Sequence, residues 1–342
     1  VALIGCGRIG ASLENDPLRA KPCTHAGAYA AHPRTKLVAC VDIDRERLAA
    51  VGKTYRIRHR FTDYETMLAQ VRPDIVSIAA WTEFHAPMVV AAAEAGVRGI
   101  YCEKPLAANL AEAKRAMAAV RRAGAKMVVG HERRWGAHFI TAKRLVDSGE
   151  LGPLRTIVGY TLSGAWPRIS RRKYGGGASF HDGTHMTDLF RYFAGEARSV
   201  MALEERPYGA GAVENATWSM FSFDHGVKAF MVGGNSRDYF HFELDIQTER
   251  GRILIGNNGQ QLFTADTSKQ FSGFRELQPA PWPAPDASTN PFVGGVQDLI
   301  DQIETDAPSL SSGVDGYKAM EMIFAIYRSA SRDGAAVSFP LR

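Results

Sequence analysis

Two short segments of this 342-residue sequence carry side chains suited to moving a proton or steadying a charge. The first is Glu103-Lys104-Pro105. Proline disfavours helix for the residue before it, so Lys104 is expected to sit extended at the end of the apolar run Gly99 to Cys102. The second is His181-Asp182-Gly183-Thr184-His185, whose imidazoles stand four residues apart and so share a helix face. An ammonium group stabilises a developing alkoxide, and an imidazole is by intrinsic pKa the better proton acceptor. These are the groups that oxidation of a secondary alcohol requires, with the two roles open to exchange. His181, His185 and Asp188 also offer N, N and O ligands. Gly183 in that turn and the lack of an H-E-x-x-H pattern argue against a metal.

Such chemistry needs an electron acceptor. The first strand runs into Gly5-Cys6-Gly7-Arg8-Ile9-Gly10, a G-x-G-x-x-G. Gly5 permits the tight turn, Gly7 lets a pyrophosphate approach the backbone, Gly10 lets the following helix pack close, and Arg8 and Ile9 open that helix toward the phosphates. Asp42 follows the strand Lys36 to Val41, where a carboxylate accepts hydrogen bonds from an adenosine ribose and repels a 2′-phosphate. That favours NAD over NADP, with Arg45 and Arg47 tempering the preference. The gap from the glycines to Asp42 exceeds the usual twenty or so residues. Asn15 to Thr24, with Pro17, Lys21 and Pro22, reads as an insertion that breaks or extends the first helix. A third strand, from Ile75, ends in Ala80-Trp81-Thr82-Glu83-Phe84-His85, placing polar groups at a strand's carboxyl end, where open α/β sheets bind ligands.

The elements that must hold these residues fall into two textures. Up to Arg133, strands (Val1 to Ile4, Lys36 to Val41, Ile75 to Ala80, Gly99 to Cys102, Met127 to Val129) alternate with helices (Tyr64 to Val71, His85 to Ala95, Leu110 to Ala123). That alternation predicts a parallel sheet with covering helices, and apolar runs such as Ile75 to Ala80 fit strands buried on both faces. Asn109 is the expected N-cap of the last helix, and Gly96 and Gly124 are expected C-caps. After Leu151 come alternating, aromatic-rich strands: Arg155 to Thr161, Thr217 to Phe223, Val227 to Val232, Phe240 to Gln247 and Arg252 to Ile255. These are the marks of an antiparallel sheet. Helices are expected over His185 to Phe193, Val293 to Glu304 and Asp315 to Ser331, and an extended connection over Pro279 to 285. The predicted class is α/β, with an N-terminal parallel-sheet domain (1–133) and a C-terminal α+β domain (134–342) built on an open, mostly antiparallel sheet. The last helix and strand are free in this scheme to return toward the first domain.

With these segments assembled, the sequence resembles the glucose-fructose oxidoreductase, inositol dehydrogenase and rhizopine-catabolism (Gfo/Idh/MocA) family. The likeness rests on the glycine loop, Thr82 to His85, Glu103-Lys104-Pro105, Gly175-Gly176-Gly177 followed by a His-containing helix, and the closing stretch Asp315 to Glu321 through Ser329-Ala330 to Phe339-Pro340-Leu341. It covers nearly the whole chain. It implies a Rossmann domain followed by a substrate domain that often forms an oligomer interface, hence a homodimer or homotetramer. It also implies NAD(P)-dependent oxidation or reduction at a secondary alcohol or ketone of a sugar, polyol, sugar acid or nucleotide-sugar. Lys104 falls on the family's catalytic lysine and His185 on its catalytic histidine, while Ala80, Trp81, Thr82, His85 and Glu103 fall beside the cofactor. Trp81 departs from a common proline. His181 takes the place of an aspartate four residues before the histidine, and either His181 or the adjacent Asp182 fills that role. Glu132 replaces the asparagine of an Asn-x-Arg-aromatic run, leaving Arg134 as a substrate contact. Trp166, Arg168, Arg172 and Tyr174 are candidates for a pocket wall suited to an acidic sugar or nucleotide-sugar. Two other classes share such a sequence: enzymes that retain NAD through elimination or glycoside cleavage, and NAD-sensing regulators without catalysis.

Charge and composition remove other functions. With 41 basic and 36 acidic side chains the net charge of +5 is a weak field over so long a chain, which argues against a nucleic-acid partner. Four cysteines without C-x-x-C spacing fit reduced thiols in the cytoplasm. No apolar run approaches the roughly 18 residues of a bilayer span.

Overall fold

The computed structural model describes residues 1–163, 176–207, 209, 212–234, 237–284 and 290–341. The loop candidates Trp166, Arg168, Arg172 and Tyr174 lie outside them. The chain divides into two compact units, Val1–Gly136 with Thr289–Tyr317, and Ala137–Ser288 with Lys318–Arg342. The segment 289–317, which the sequence assigns to the C-terminal domain, therefore packs with the N-terminal one.

The first unit is a six-stranded parallel sheet in the order β3-β2-β1-β4-β5-β6. Its strands are β1 (Ala2–Ile4), β2 (Ala39–Val41), β3 (His59–Phe61), β4 (Ile75–Ile78), β5 (Gly99–Cys102) and β6 (Lys126–Val129). β1, β2, β4 and β5 are buried along their whole length, which is why their sequences are apolar throughout. The helices are α1 (His25–Ala31), α2 (Arg45–Thr54), α3 (Tyr64–Val71), α4 (Thr82–Glu94) and α5 (Leu110–Ala123). Side chains of Asp44, Asp63 and Asn109 accept amides at the starts of α2, α3 and α5, and Gly124 closes α5 in the left-handed conformation. α4 begins at Thr82, earlier than its alanine run announces.

The glycine loop does not run straight into α1. One turn forms, with the Ala11 amide bonded to the Gly7 carbonyl, and the chain then leaves on an excursion containing a 3-10 turn over Ser12–Asn15. It returns at His25, whose amide donates to the Ile9 carbonyl at 3.1 Å, while the Ala26 amide donates to Gly10 at 2.9 Å. His25 thus takes the helical position that residue 13 would hold, and Leu13–Thr24 are twelve extra residues looped out of one helix. Glu14 pins the splice, its Oε2 accepting the Cys23 amide (3.1 Å) and the Thr24 hydroxyl (2.6 Å). Without those twelve residues the 32-residue step from Gly10 to Asp42 becomes 20, the ordinary spacing.

α9 (Pro291–Thr305) completes this unit by covering β5 and β6. A Cβ on its Gly295 would stand 2.6 Å from the Tyr101 hydroxyl, so only glycine allows the approach. The Trp135 indole N–H donates to Asp298 at 3.0 Å.

The second unit holds a nine-stranded sheet in the order β14-β13-β12-β11-β7-β10-β9-β8-β15, antiparallel except where β7 meets β10. Its strands are β7 (Leu154–Leu162), β8 (Ala197–Glu205), β9 (Ala216–Phe223), β10 (Lys228–Gly234), β11 (His241–Thr248), β12 (Gly251–Gly256), β13 (Gly259–Thr267), β14 (Arg275–Ala280) and β15 (Val337–Ser338). β14 runs to Ala280 and so takes in the first two residues of the connection expected over 279–285. The helices are α6 (Ala137–Asp147), α7 (Ala178–His181), α8 (Gly183–Ala194) and α10 (Gly313–Ala330), the last shared with the first unit. Met186 of α8 seats over Gly159 of β7, and Phe190 packs on Phe221 of β9 at 6.0 Å between centroids. Met201, Leu203, Trp218 and Phe230 are exposed. All four cysteines are free and buried. Among the described residues no helix is long and apolar enough to cross a membrane, and no three His, Cys, Asp or Glu side chains gather as a metal cluster.

Candidate cofactor and catalytic site

The parallel sheet changes direction of winding between β1 and β4, and the carboxyl ends of these strands form the crevice where this topology binds a dinucleotide. Gly5 has φ +97°, and a Cβ there would strike the Ala79 carbonyl at 2.5 Å. A Cβ on Gly10 would lie 2.0 Å from the Gly5 carbonyl oxygen. Gly7 differs: a Cβ there meets nothing nearer than the Arg47 guanidinium at 3.9 Å. Its missing side chain leaves an open cradle, the space in which a pyrophosphate fits. Arg8 is exposed and Ile9 half-buried at the first turn.

Asp42 organises this loop. Its Oδ2 accepts the Cys6 amide at 2.8 Å, its Oδ1 accepts the Asp44 amide at 2.8 Å, and Arg47 Nη2 approaches Oδ1 at 3.5 Å. A carboxylate has about four lone-pair positions, so acceptor capacity remains for ribose hydroxyls. Arg47 lies beside both Asp42 and the Gly7 cradle, a position that its proximity in sequence only hinted at.

At the end of β5, the Glu103 amide donates to the Ile78 carbonyl, and Glu103 Oε2 accepts the Lys104 amide at 3.1 Å. Glu103 is buried and faces His25 of α1, whose Nε2 is 2.9 Å from Glu103 Oε1 and whose Nδ1 is 2.6 Å from Ser77 Oγ. Burial pushes the Glu103 carboxyl up, but the His25 hydrogen bond and the charges of His25, Lys104 and His85 outweigh it and hold the group below its ordinary range. His85 is buried with its two ring nitrogens on backbone carbonyls, Pro105 at 2.7 Å and Ala80 at 3.0 Å. It fastens the Glu-Lys-Pro segment to the end of β4, and burial holds its pKa below the ordinary value. Trp81 is exposed ahead of α4, and Thr82 is buried.

Past β6, the Glu132 carboxyl is pushed up by burial and pairs with Arg133 at 2.9 Å. Arg134 is buried, donating to the Leu310 carbonyl at 2.5 Å and facing Asp315 at 3.3 Å. These contacts tie the 310–315 stretch to the turn that follows β6.

In the second unit, His181 closes α7 and His185 lies in the first turn of α8. The two helices meet at Asp182, and the His185 amide bonds to the Asp182 carbonyl at 3.2 Å, so this turn is tighter than the i to i+4 register assumed from spacing. The junction is held by Glu214, a buried carboxylate invisible to motif reasoning. It accepts the amides of Gly177 (3.0 Å) and Ser179 (3.0 Å) and the Tyr327 hydroxyl (2.9 Å).

Known proteins give this arrangement a family. Residues 1–131 match the profile described as "Oxidoreductase family, NAD-binding Rossmann fold", and residues 139–254 match the GFO/IDH/MocA C-terminal domain. The uncharacterized oxidoreductase YrbE of Bacillus subtilis (strain 168) is 31% identical over 257 residues, 68% of this chain and 72% of that one. This chain belongs to the Gfo/Idh/MocA family. It is likewise 30% identical over 250 residues to scyllo-inositol 2-dehydrogenase (NAD(+)) of the same strain, 70% of this chain and 72% of the other. The crystal structure of aldose-aldose oxidoreductase from Caulobacter crescentus complexed with glycerol superimposes with a TM-score of 0.80 at 28% identity, covering 99% of each chain. As a Gfo/Idh/MocA protein the chain is an oxidoreductase whose cofactor is NAD, and the open cradle at Gly7 and the spare acceptor capacity of Asp42 suit that cofactor.

Proposed function

We propose that this protein is an NAD-dependent dehydrogenase that interconverts a secondary alcohol and a ketone on a sugar, polyol, sugar acid or nucleotide-sugar. The observation that carries this reading is the setting of Lys104, held through its own amide at the carboxyl end of β5, on the same rim of the sheet as the glycine cradle. The names of the relatives above, an inositol dehydrogenase and an aldose oxidoreductase, support the substrate class.

Gly5, Gly7, Gly10 and Asp42 would hold the dinucleotide, with Ala80, Trp81, Thr82 and Glu103 along the crevice. NAD, when bound, supplies the hydride acceptor. Lys104 contributes an ammonium that steadies the substrate oxygen as its proton departs. His185, which falls on the family's histidine, supplies the proton acceptor, and either His181 or Asp182 takes the place of the family's aspartate. Asp42 favours NAD over NADP, and Arg47, 3.5 Å from it, lessens the repulsion of a 2′-phosphate.

The test is absorbance at the NADH band with inositols, aldoses, sugar acids and nucleotide-sugars, run with NAD and NADP for wild type and Lys104→Ala. Expected is turnover that prefers NAD and falls by about 10²-fold or more in Lys104→Ala. Turnover unaffected by Lys104→Ala overturns the assignment of the lysine. Tight NAD binding with no NADH formed from any substrate points instead to an enzyme that retains its cofactor.

A further inference from the structure

His25 stands where the looped-out segment rejoins its helix, and two of its bonds reach opposite ends of the site. Its backbone amide is tied to Ile9 of the glycine loop, while its ring is bonded on both nitrogens, to Ser77 and to Glu103. The ring is buried against Tyr101, 4.7 Å between centroids. Gly130 leaves room for the carboxylate: a Cβ there would stand 2.8 Å from Glu103 Oε1. A buried carboxylate held by an imidazole is a poor source of stability, because desolvation of the carboxylate offsets most of what the contact gains. What it supplies is direction.

We propose that His25 is a positioning residue for Lys104. Through its Nε2 it holds the Glu103 carboxylate in the orientation in which the second oxygen grips the Lys104 amide, and so fixes where the lysine leaves β5. The inference rests on the reading of Lys104 as the catalytic lysine. It also accounts for the care with which Glu14 and Thr24 return the chain to helical register after twelve extra residues: a register error of one would swing the imidazole away from Glu103.

Three variants test this. His25→Phe keeps a ring against Tyr101 and removes both bonds, His25→Gln restores a donor toward Glu103, and Glu103→Gln disturbs the grip from the other side. Lys104 is followed by NMR of the protein reductively methylated with 13C-formaldehyde, its resonance identified by its loss in Lys104→Ala. NADH affinity is followed by fluorescence, and kcat and KM with the substrate found above. Expected for His25→Phe are a shifted or split Lys104 resonance and a kcat lowered by about 10²-fold, the scale of an ångström misplacement. NADH affinity and KM should stay near the wild-type values, and His25→Gln should recover most of the kcat. An unmoved Lys104 resonance in His25→Phe overturns the proposal, as does a kcat loss that His25→Gln leaves unrepaired. Should His25→Phe fail to fold, Glu103→Gln decides: a displaced resonance supports the proposal and an unmoved one overturns it. Wild-type turnover in Lys104→Ala overturns the reading of the lysine and not the placement, which the resonance reports separately.

Discussion

Gly7 and Gly10 stand three residues apart in one loop and should answer differently to the same added methyl group. At Gly10 a Cβ collides with the Gly5 carbonyl, so Gly10→Ala should lower stability by about 1–3 kcal/mol, the cost of overpacking, measured by urea unfolding. At Gly7 the methyl enters open space, so Gly7→Ala should keep stability to within about 0.5 kcal/mol while weakening NADH binding by at least about ten-fold, measured by fluorescence titration. Both glycines and Asp42 were legible in the sequence because their spacing is itself the motif. His25 was not, because its partners Ser77 and Glu103 lie 52 and 78 residues away. The burial of Arg134 was hidden for the same reason, since its Leu310 partner lies 176 residues away.

Among the elements, α3 and α5 matched their sequence signals because caps and apolar faces agree, whereas β3 and α2 left weak traces. β3 is three residues, His59-Arg60-Phe61, at the exposed edge of the sheet, with no alternation to betray it. α2 is rich in charge, and its only clear signal is the Asp44 cap. The interruption of the first helix was legible from Pro17 and Pro22, but its size follows only from the bonds that close it. Those bonds make a prediction. Excising Leu13–Thr24 joins Ser12 to His25 in helical register, so the shortened chain should fold, losing about 1 kcal/mol with the Glu14 and Pro22 contacts, and should bind NADH as the parent does. Calorimetry and fluorescence titration measure the two. An excision that abolishes NADH binding would show that the loop, rather than the register, matters to the site.

At the scale of the molecule, the parallel and antiparallel textures announced two units, but not that residues 289–317 belong with the first. Sequence order hides this, because α9 reads as one more amphipathic helix until Gly295 is seen against Tyr101 and Asp298 against Trp135. A fragment ending at Gly136 should therefore lack a stable core and bind ANS, whereas the same fragment joined by a short linker to residues 290–317 should give a cooperative thermal transition. A cooperative transition in the 1–136 fragment alone would refute the dependence.

The same arrangement sets a schedule for the nascent chain. The ribosome delivers the nucleotide-binding strands first, but their covering helix follows only after about 150 further residues, about 8–30 s at ordinary rates of synthesis. For that interval Tyr101 and Trp135 wait uncovered. The first unit thus cannot mature in the order of its sequence, and its nucleotide-binding strands gain their cover only once residues 291–305 have been made.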